Sequence, residues 1–350
     1  MSPIRGQVAA YDCSNRKVLT RETFTRTAQR LYDFCAYPAV RYKVFFHLLD
    51  APYDGEALTA LRPAFLGSDI VKELRDAQDY RGGWGRLRDK DYSAKDKFPS
   101  SLVAIRRCQY IGLTLNDGDI LLLAHDYLEE FLKGTAREPL FEKNERAAPW
   151  NAAMVSEAIE SIKPYNKLCD RTYNEWMHIA TRAYENGEYS YERDRDAQHE
   201  VFWTKEARLV PMQFGLLLKR RAELPPGMED AMLRHHGEHA YQNGYFWNKT
   251  PQRLPDHFVY KQTRRWFHTF NYINQFRGSA LYLADAAEWL MANRNADGLW
   301  DWGTQTKDPW GYFGYFSANR DYKHNRVVDC TMEALDFLKA YMDNNAGLFA

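Results

Sequence analysis

Hydrophobic residues recur at three- and four-residue steps along much of the chain, which is the spacing of one face of an α-helix. Two stretches show this spacing most clearly: Ile120, Leu123, Ala124, Tyr127, Leu128 and Phe131, and later Val328, Met332, Leu335 and Leu338. No segment shows the strict alternation of polar and apolar residues that is typical of a half-buried strand. The pattern therefore predicts an all-α protein.

The predicted helices come in pairs. The opening pair spans residues 20–36 and 39–50, and Thr20 and Thr23 are placed to cap its first helix. In every later pair a first helix leads into a glycine turn and a second helix returns. The first helices are predicted at 68–79, 117–133, 170–186, 228–243 and 283–293, and the second helices at 99–113, 150–163, 199–221, 267–282 and 325–342. Pro211 predicts a kink within the helix 199–221.

The glycine turns recur at a nearly constant interval, with steps of 51, 53, 57 and 54 residues between Gly83, Gly134, Gly187, Gly244 and Gly298. Such an interval is typical of a repeat architecture. Six helical hairpins that close into a ring leave no exposed repeat ends, which an open array must cap. The predicted fold is therefore one (α/α)6 toroid over residues 20–350, preceded by an arm at 1–19. An open solenoid of the same hairpins is the alternative.

Charge and cysteine content exclude several classes of protein. Lysine plus arginine and aspartate plus glutamate both number 47, so no net charge attracts nucleic acid. No run of 18 apolar residues predicts a membrane span, and the N-terminus lacks the apolar region of a signal peptide. The five cysteines are widely spaced and form no CxxC pair. We therefore expect a cytoplasmic protein without a disulfide framework.

Aromatic residues make up 15% of the chain. They indicate either a large core filled with bulky side chains or a cavity lined by rings, and the two are compatible.

Two of the glycine turns are followed by tryptophan. The phrases Gln78-x4-Gly83-Trp84-Gly85 and Asp297-Gly298-Leu299-Trp300 resemble the glutamine–tryptophan repeats of squalene–hopene cyclase and other class II terpene cyclases. Protein prenyltransferase β subunits share that barrel, and the segment 98–101 is similar to the start of an inner helix in this superfamily. The resemblance covers about residues 68–114 and 284–340. It implies an α-α toroid with an aromatic-lined cavity.

The reaction of that superfamily is not implied, because its catalytic motifs are missing. The chain contains neither the Asp-x-Asp-Asp motif of class II cyclases nor an Asp-Asp-x-x-Asp motif. Val328-Asp329-Cys330 only approximates the zinc-binding pair of the prenyltransferases, and no histidine follows it. His235 and His239 are four residues apart on a predicted outer helix, away from the other candidates. We therefore expect no metal and no cofactor.

In such a toroid the first turns of the inner helices converge on one mouth, where a substrate would bind. The predicted substrate-binding residues are Arg41, Tyr42, Trp150, Asn151, Phe202, Trp203, Asn271, Asn325, Arg326 and Cys330. The predicted catalytic residues are Asp329, His268, His324 and Tyr272, because histidine titrates near neutral pH and burial raises the pKa of a carboxyl group.

Each of these assignments has a structural alternative. Arg326 and Asp329 are three residues apart on one helix and are suited to an ion pair. His268 is equally explained as a core residue, and Cys330 as a small buried side chain.

These observations predict an enzyme that carries out proton-driven cyclisation, isomerisation or elimination on an isoprenoid-like or other largely apolar small molecule in a central cavity. One alternative is a carbohydrate lyase or hydrolase with an (α/α)6 barrel, in which His268, Asn271 and Tyr272 would act. Another is a non-catalytic toroid that binds a peptide or lipid. A homo-oligomer is compatible with all three interpretations.

Overall fold

The computed structural model describes residues 18–88, 98, 100–137, 140, 147–203, 211–239, 266–267, 270–303, 316 and 322–349. Within these ranges the regular structure is helical and contains no strand, which confirms the all-α prediction. None of the described helices combines the length and apolar character needed to cross a membrane.

The helices are numbered here in chain order. They are α1 (Arg21–Phe34), α2 (Pro38–Lys43), α3 (Glu56–Leu66), α4 (Asp69–Ala77), α5 (Ser101–Ile111), α6 (Ile120–Lys133), α7 (Ala148–Ile162), α8 (Asp170–Ala183), α9 (Tyr191–Phe202), α10 (Pro211–Lys219), α11 (Met228–His239), α12 (Ala280–Ala292) and α13 (Lys323–Asn344). A π-helical segment, Val44–Leu48, continues α2.

Local sequence sets several helix ends. Thr20 and Thr23 form a reciprocal cap at the start of α1, in which the Thr23 amide donates to Thr20 Oγ1 at 3.1 Å and the Thr20 amide donates to Thr23 Oγ1 at 2.8 Å. The Ser100 hydroxyl caps α5 by accepting the Val103 amide, and Gly112 ends that helix with a φ of 97°. These caps confirm the predicted starts of the two helices to within two residues.

Two of the predicted helices are wrong, and helix α3, which contains Pro63, was not predicted. The predicted helix 267–282 ends by residue 273, and α12 starts at residue 280 after a turn in which Gly278 has a φ of 73°. The predicted helix 199–221 is also wrong, because residues 199–202 form the last turn of α9. Ser190 caps the start of α9, and Trp203 ends it in a left-handed conformation with a φ of 55°.

The second helices of successive pairs are neighbours in space. Helix α2 contacts α5, α5 contacts α7, and α7 contacts α10. The Phe214 ring of α10 meets Phe276, and Asn274 donates to the carbonyl of Phe337 in α13 at 2.8 Å. Helix α13 in turn contacts α1 and the π-helical segment. The first and last described helices are therefore packed against each other.

Polar contacts of Arg220 also hold α7, α8 and the end of α10 together. Arg220, after α10, donates to Glu160 Oε1 of α7 at 2.6 Å and to Asp170 Oδ1 of α8 at 2.7 Å. Burial alone would lower the pKa of Arg220, but these two carboxylates raise it well above its ordinary value. The Arg220 and Glu160 side chains are both shielded from water. Arg220 therefore holds α7, α8 and the end of α10 in one arrangement.

Most described tryptophans belong to the packed core. Trp176, Trp266, Trp300 and Trp302 have at most 1% of their surface exposed, and Trp84 has 3%. Trp266, for example, packs against the rings of Phe270 and Phe337. For these five side chains, the aromatic content is explained by core packing.

The two tryptophan turns have the same hydrogen bonds. In the first turn the Asp79 amide donates to the carbonyl of Gly83, and the Trp84 Nε1–H donates to the carbonyl of Leu74 at 2.8 Å. In the second turn the Asn295 amide donates to the carbonyl of Leu299, and the Trp300 Nε1–H donates to that of Leu290 at 2.9 Å.

The equivalence of the two turns corrects the predicted repeat by one residue. Gly82 and Gly298 occupy the same place, with φ values of 92° and 74°, whereas Gly83 is not among the glycines with positive φ. Gly134 and Gly187 also have positive φ. Gly244 lies outside the described residues. Left-handed backbone at these turns explains why glycine recurs.

Candidate functional site

A charged cluster lies where α2, α5 and α13 meet. The Lys43 ammonium donates to Asp336 Oδ2 at 2.6 Å and sits 3.5 Å from the centre of the Tyr110 ring. The Lys43 side chain is 4% exposed, whereas that of Asp336 is 29% exposed. One member of the ion pair is therefore shielded from water and the other is accessible.

Burial brings the proton affinities of this pair closer together. It lowers the pKa of Lys43, and the Asp336 carboxylate opposes that shift. It raises the pKa of Asp336, and the Lys43 ammonium opposes that shift. The free energy needed to move a proton between them is therefore smaller than for the same groups in water, as is typical of proton-transfer sites.

His47 lies four residues after Lys43, on the π-helical segment. Its side chain is exposed, yet burial lowers its pKa to about 4, with Lys43 and Lys339 adding to the effect and Asp50 opposing it. With this pKa, His47 is uncharged at neutral pH, and its ring nitrogen has a lone pair that can accept a proton. π-helical turns are frequent at functional sites.

A second pair of opposite charges lies on α5 and α13. Arg107 is 4% exposed and Asp329 is completely buried. Burial lowers the pKa of Arg107, and the negative charge of Asp329 is the main opposing influence. Asp329 Oδ1 also accepts the amide of Phe316 at 2.8 Å. Arg107 Nη1 is buried and has no hydrogen-bond partner within the described structure.

Glu157 is a further carboxyl group, on α7, a helix that contacts α5. It is packed so closely against α10 that a Cβ on Gly215 would overlap its carboxylate. Burial raises its pKa, and the positive charges of Arg106 and Lys219 oppose the shift. Charged side chains of α2, α5, α7 and α13 thus occur at contacts with neighbouring helices.

The residues predicted at the start of α13 are divided between different surroundings. Asp329 and Cys330 are completely buried. Arg326 pairs with Asp301, to which it donates twice at 2.6 and 3.0 Å. Arg326 therefore has Asp301 as an ion-pair partner. Asp301 lies two residues before Gly303, whose amide donates to the same carboxylate at 2.9 Å.

His324 and Asn325 face α1 and α2. The exposed His324 ring stacks on Phe34 with 4.6 Å between ring centres, and Asn325 Oδ1 accepts the Tyr37 hydroxyl at 2.8 Å. Arg41 lies over the Tyr32 ring at 4.8 Å. These contacts stabilise the junction between the two ends of the described chain.

Other predicted site residues are placed as follows. Tyr42 is completely buried and stacks on Phe65 at 4.2 Å. Trp150 is partly buried against the core, and Asn151 Oδ1 accepts Arg88 at 3.3 Å.

The remaining predicted residues lie on three other segments. Phe202 packs on Trp176, whereas Trp203 is 83% exposed. Asn271 is exposed and Tyr272 is partly buried. His268 lies outside the described residues.

Sequence reasoning missed Lys43, His47, Arg107 and Asp336. Lys43 and His47 interrupt the apolar run 38–49, and Asp336 follows Asp329 by seven residues, on the same face of α13. The signal in the sequence was a charged residue within an otherwise apolar stripe of a helix. The predicted site was based on the first turns of the predicted inner helices, whereas these four residues lie further along their helices.

A group of possible metal ligands occurs on α6, where His125, Asp126 and Glu129 have ligand atoms within 4.8 Å of one another. His125 Nδ1 faces Asp126 at 3.4 Å, and its Nε2 faces Glu129 at 3.5 Å. The two nitrogens of one imidazole point in opposite directions and cannot bind the same ion. Glu129 also accepts Lys133 and Asn166, so the group is explained as a hydrogen-bond network.

The histidines at 235 and 236 contact aromatic rings. His235 stacks on Tyr189 with 4.1 Å between ring centres, and His236 meets the Phe214 ring edge-on at 4.3 Å. Nothing is described of the side chain of His239.

Comparison of the chain with protein-family models, with curated proteins and with solved structures yields no match in any of the three. The resemblance to terpene cyclase repeats therefore rests on the residues quoted for it alone.

Proposed function

We propose that this chain is an enzyme that acts on a polar, anionic substrate between its inner helices, and that a carbohydrate lyase is the best fit. The observation that carries the proposal is His47, an accessible and uncharged imidazole, four residues from the desolvated Lys43–Asp336 pair. A proton acceptor and a proton donor are thus combined on one segment. Elimination from a uronic acid requires both.

The proposed roles follow from the charges. His47 removes the proton next to the substrate carboxylate, and Lys43 donates a proton to the departing sugar oxygen. Arg107, whose Nη1 has no hydrogen-bond partner among the described residues, neutralises the carboxylate and so makes the neighbouring carbon more acidic. Asp329 is a positioning residue that holds the guanidinium. Tyr272, on the neighbouring segment, is a second candidate for proton transfer.

The proposal includes the predicted toroid. Its support is the sequence of neighbours α2, α5, α7, α10, the segment 270–276 and α13, and the contact of α13 with the π-helical segment. In a ring closed in this way the charged inner faces border one central space. A hydrocarbon substrate there would leave these charges without water, which is costly.

A terpene-cyclase-like role is the second candidate. The observation that favours it is the matching geometry of the two tryptophan turns, since these are the phrases that resemble the cyclase repeats. That geometry supports a related fold more directly than a related reaction.

The test is a thermal-shift screen with uronic-acid oligosaccharides, neutral oligosaccharides, prenyl diphosphates and squalene-like hydrocarbons. A ligand that binds only the folded protein raises its melting temperature. We expect stabilisation by uronic-acid oligosaccharides, followed by release of an unsaturated product that absorbs in the ultraviolet. Stabilisation by isoprenoids alone would contradict the lyase proposal and favour the second candidate. Stabilisation by a saccharide without any product would favour the non-catalytic alternative.

The variant that tests the assigned base is His47→Gln. We expect kcat to fall by about 100-fold or more, with little change in substrate affinity, because general-base catalysis contributes roughly 10²–10⁴-fold. His178→Gln is the matched control, since His178 is 46% exposed and contacts Glu200 only at 4.0 Å. Equal activity of the two variants would rule out His47 as the base.

A further inference from the structure

A cavity of 360 Å³ lies between α1 and the turn that follows α12. Arginines from both sides reach into it: Arg26 and Arg30 from α1, and Arg294 from the turn. The other lining residues are neutral, and no acidic side chain is among the described residues that form the wall. None of the lining residues belongs to the charged cluster of Lys43, Asp336 and His47.

The positive charge in this cavity is only partly neutralised. Arg26 pairs with Glu22, whose side chain is 80% exposed. Arg294 donates to Thr27 Oγ1 at 3.1 Å and to the carbonyl of Met291 at 2.9 Å, and both acceptors are neutral. For Arg30 no hydrogen bond or ion pair occurs within the described structure.

The arginines also repel one another. Burial lowers the pKa of Arg294, and the positive charges of Arg30 and Arg26 lower it further. Three neighbouring guanidinium groups that share one exposed carboxylate partner, Glu22, are unfavourable for the folded state. An anion in the cavity would remove this cost.

The equivalent tryptophan turn shows that the fold does not require these charges. Gln78 stands where the second turn has Arg294, and its amide donates to the carbonyls of Gly82 and Ile120, both at 2.9 Å. A Cβ on Gly82 would overlap the backbone of Leu123 in α6. The backbone of α6 therefore occupies the space beside Gly82 in the first turn. At Gly298 the nearest group is instead the Arg30 guanidinium.

We propose that this cavity binds a phosphate group carried by a small molecule. The planar guanidinium fork donates two parallel hydrogen bonds to a phosphate, and two forks from opposite walls can hold different oxygens. The side-chain amide of Asn295 lies on the side of the turn and adds a neutral donor. The cavity is larger than phosphate alone and falls within the usual range of about 300–1,000 Å³ for small-molecule sites.

The test is titration calorimetry on the full chain with three probes: inorganic phosphate, pyrophosphate and a hexose phosphate, each at constant ionic strength. We expect saturable binding of at least one probe. Tighter binding of hexose phosphate than of phosphate would show that the rest of the cavity also contributes. Saturation by phosphate alone with no gain from the sugar would identify the free ion as the ligand. Absence of saturable binding for all three probes would overturn the proposal.

The variant is the double substitution Arg30→Gln and Arg294→Gln. The second change introduces the residue that the equivalent turn already carries, so the turn can still form. We expect a loss of affinity of at least tenfold. Arg171→Gln is the matched control, because Arg171 is 88% exposed and pairs only with Glu175. Unchanged affinity in the double variant, or an equal loss in the control, would contradict the site.

A single variant, Arg30→Lys, keeps the charge and removes the fork. It provides the test if the double variant does not fold. We expect weaker phosphate binding with an unchanged melting temperature in the absence of ligand. Affinity equal to that of the unmodified chain would show that Arg30 does not hold the phosphate.

Discussion

Individual ionisable side chains in this protein differ mainly in how strongly their surroundings desolvate them. His47 and His324 are both exposed, but His47 has its pKa lowered to about 4, whereas His324 stacks on Phe34 at the surface. From the sequence, His324 was the better candidate because it precedes a dense polar cluster. The surroundings that set a pKa come from other helices, so residue type and neighbours in the chain do not reveal them.

At the residue scale, His47 predicts a pH dependence of stability. The pKa of His47 is about 4 in the folded protein and 6.5 in the unfolded chain. The unfolded chain therefore binds more protons between these two pH values. The free energy of unfolding therefore has its full value above pH 6.5 and decreases as the pH falls towards 4. The measurement is the melting temperature from pH 7.5 to 4 for the unmodified chain and for His47→Gln.

We expect the fall in melting temperature to be smaller in His47→Gln than in the unmodified chain. A proton NMR titration of the His47 ring gives its pKa directly and serves as the independent check. A ring that titrates near pH 6.5 would contradict the desolvated setting assigned to it.

At the scale of single elements, turn chemistry was the most reliable guide. Thr20 caps a helix as expected, Ser100 caps another, and glycines with positive φ occur at four of the five predicted turns within one residue. The failures have a different origin. Residues 199–202 end a helix that Ser190 starts, and the polar stretch 191–200 showed no periodicity that would have revealed it. Helix α3, which contains Pro63, was not predicted.

The first tryptophan turn predicts a strong effect for Gly82→Ala. An alanine there has to adopt a φ of 92° and would overlap the Leu123 carbonyl, so both backbone strain and steric overlap oppose it. We expect a loss of about 2–4 kcal/mol in the free energy of unfolding, measured by urea denaturation.

Gly134→Ala is the matched control for this substitution. Gly134 has a φ of 71°, but a Cβ there would meet no atom within 4 Å. We expect a loss of about 1 kcal/mol from strain alone. Equal losses in the two variants would show that α6 does not pack directly on the first tryptophan turn.

At the scale of the whole molecule, the predicted ring determines the overall dimensions. Small-angle X-ray scattering measures the radius of gyration, and a compact chain of 350 residues has a value of about 20 Å. A closed toroid is expected near this value, whereas an open solenoid of the same hairpins is more extended. A radius well above it, unchanged on dilution, would favour the solenoid. A radius that falls on dilution would indicate an oligomer.

The sequence by itself determined the helical class, the glycine period and several helix caps, because each depends on residues within about one or two turns of one another. The tertiary structure decided which charges became functional candidates. Lys43 meets Asp336 across 293 positions of the chain, and Arg30 meets the turn at Gly298 across a similar separation. Desolvation and charge repulsion act through space, so they arise only when distant helices pack together.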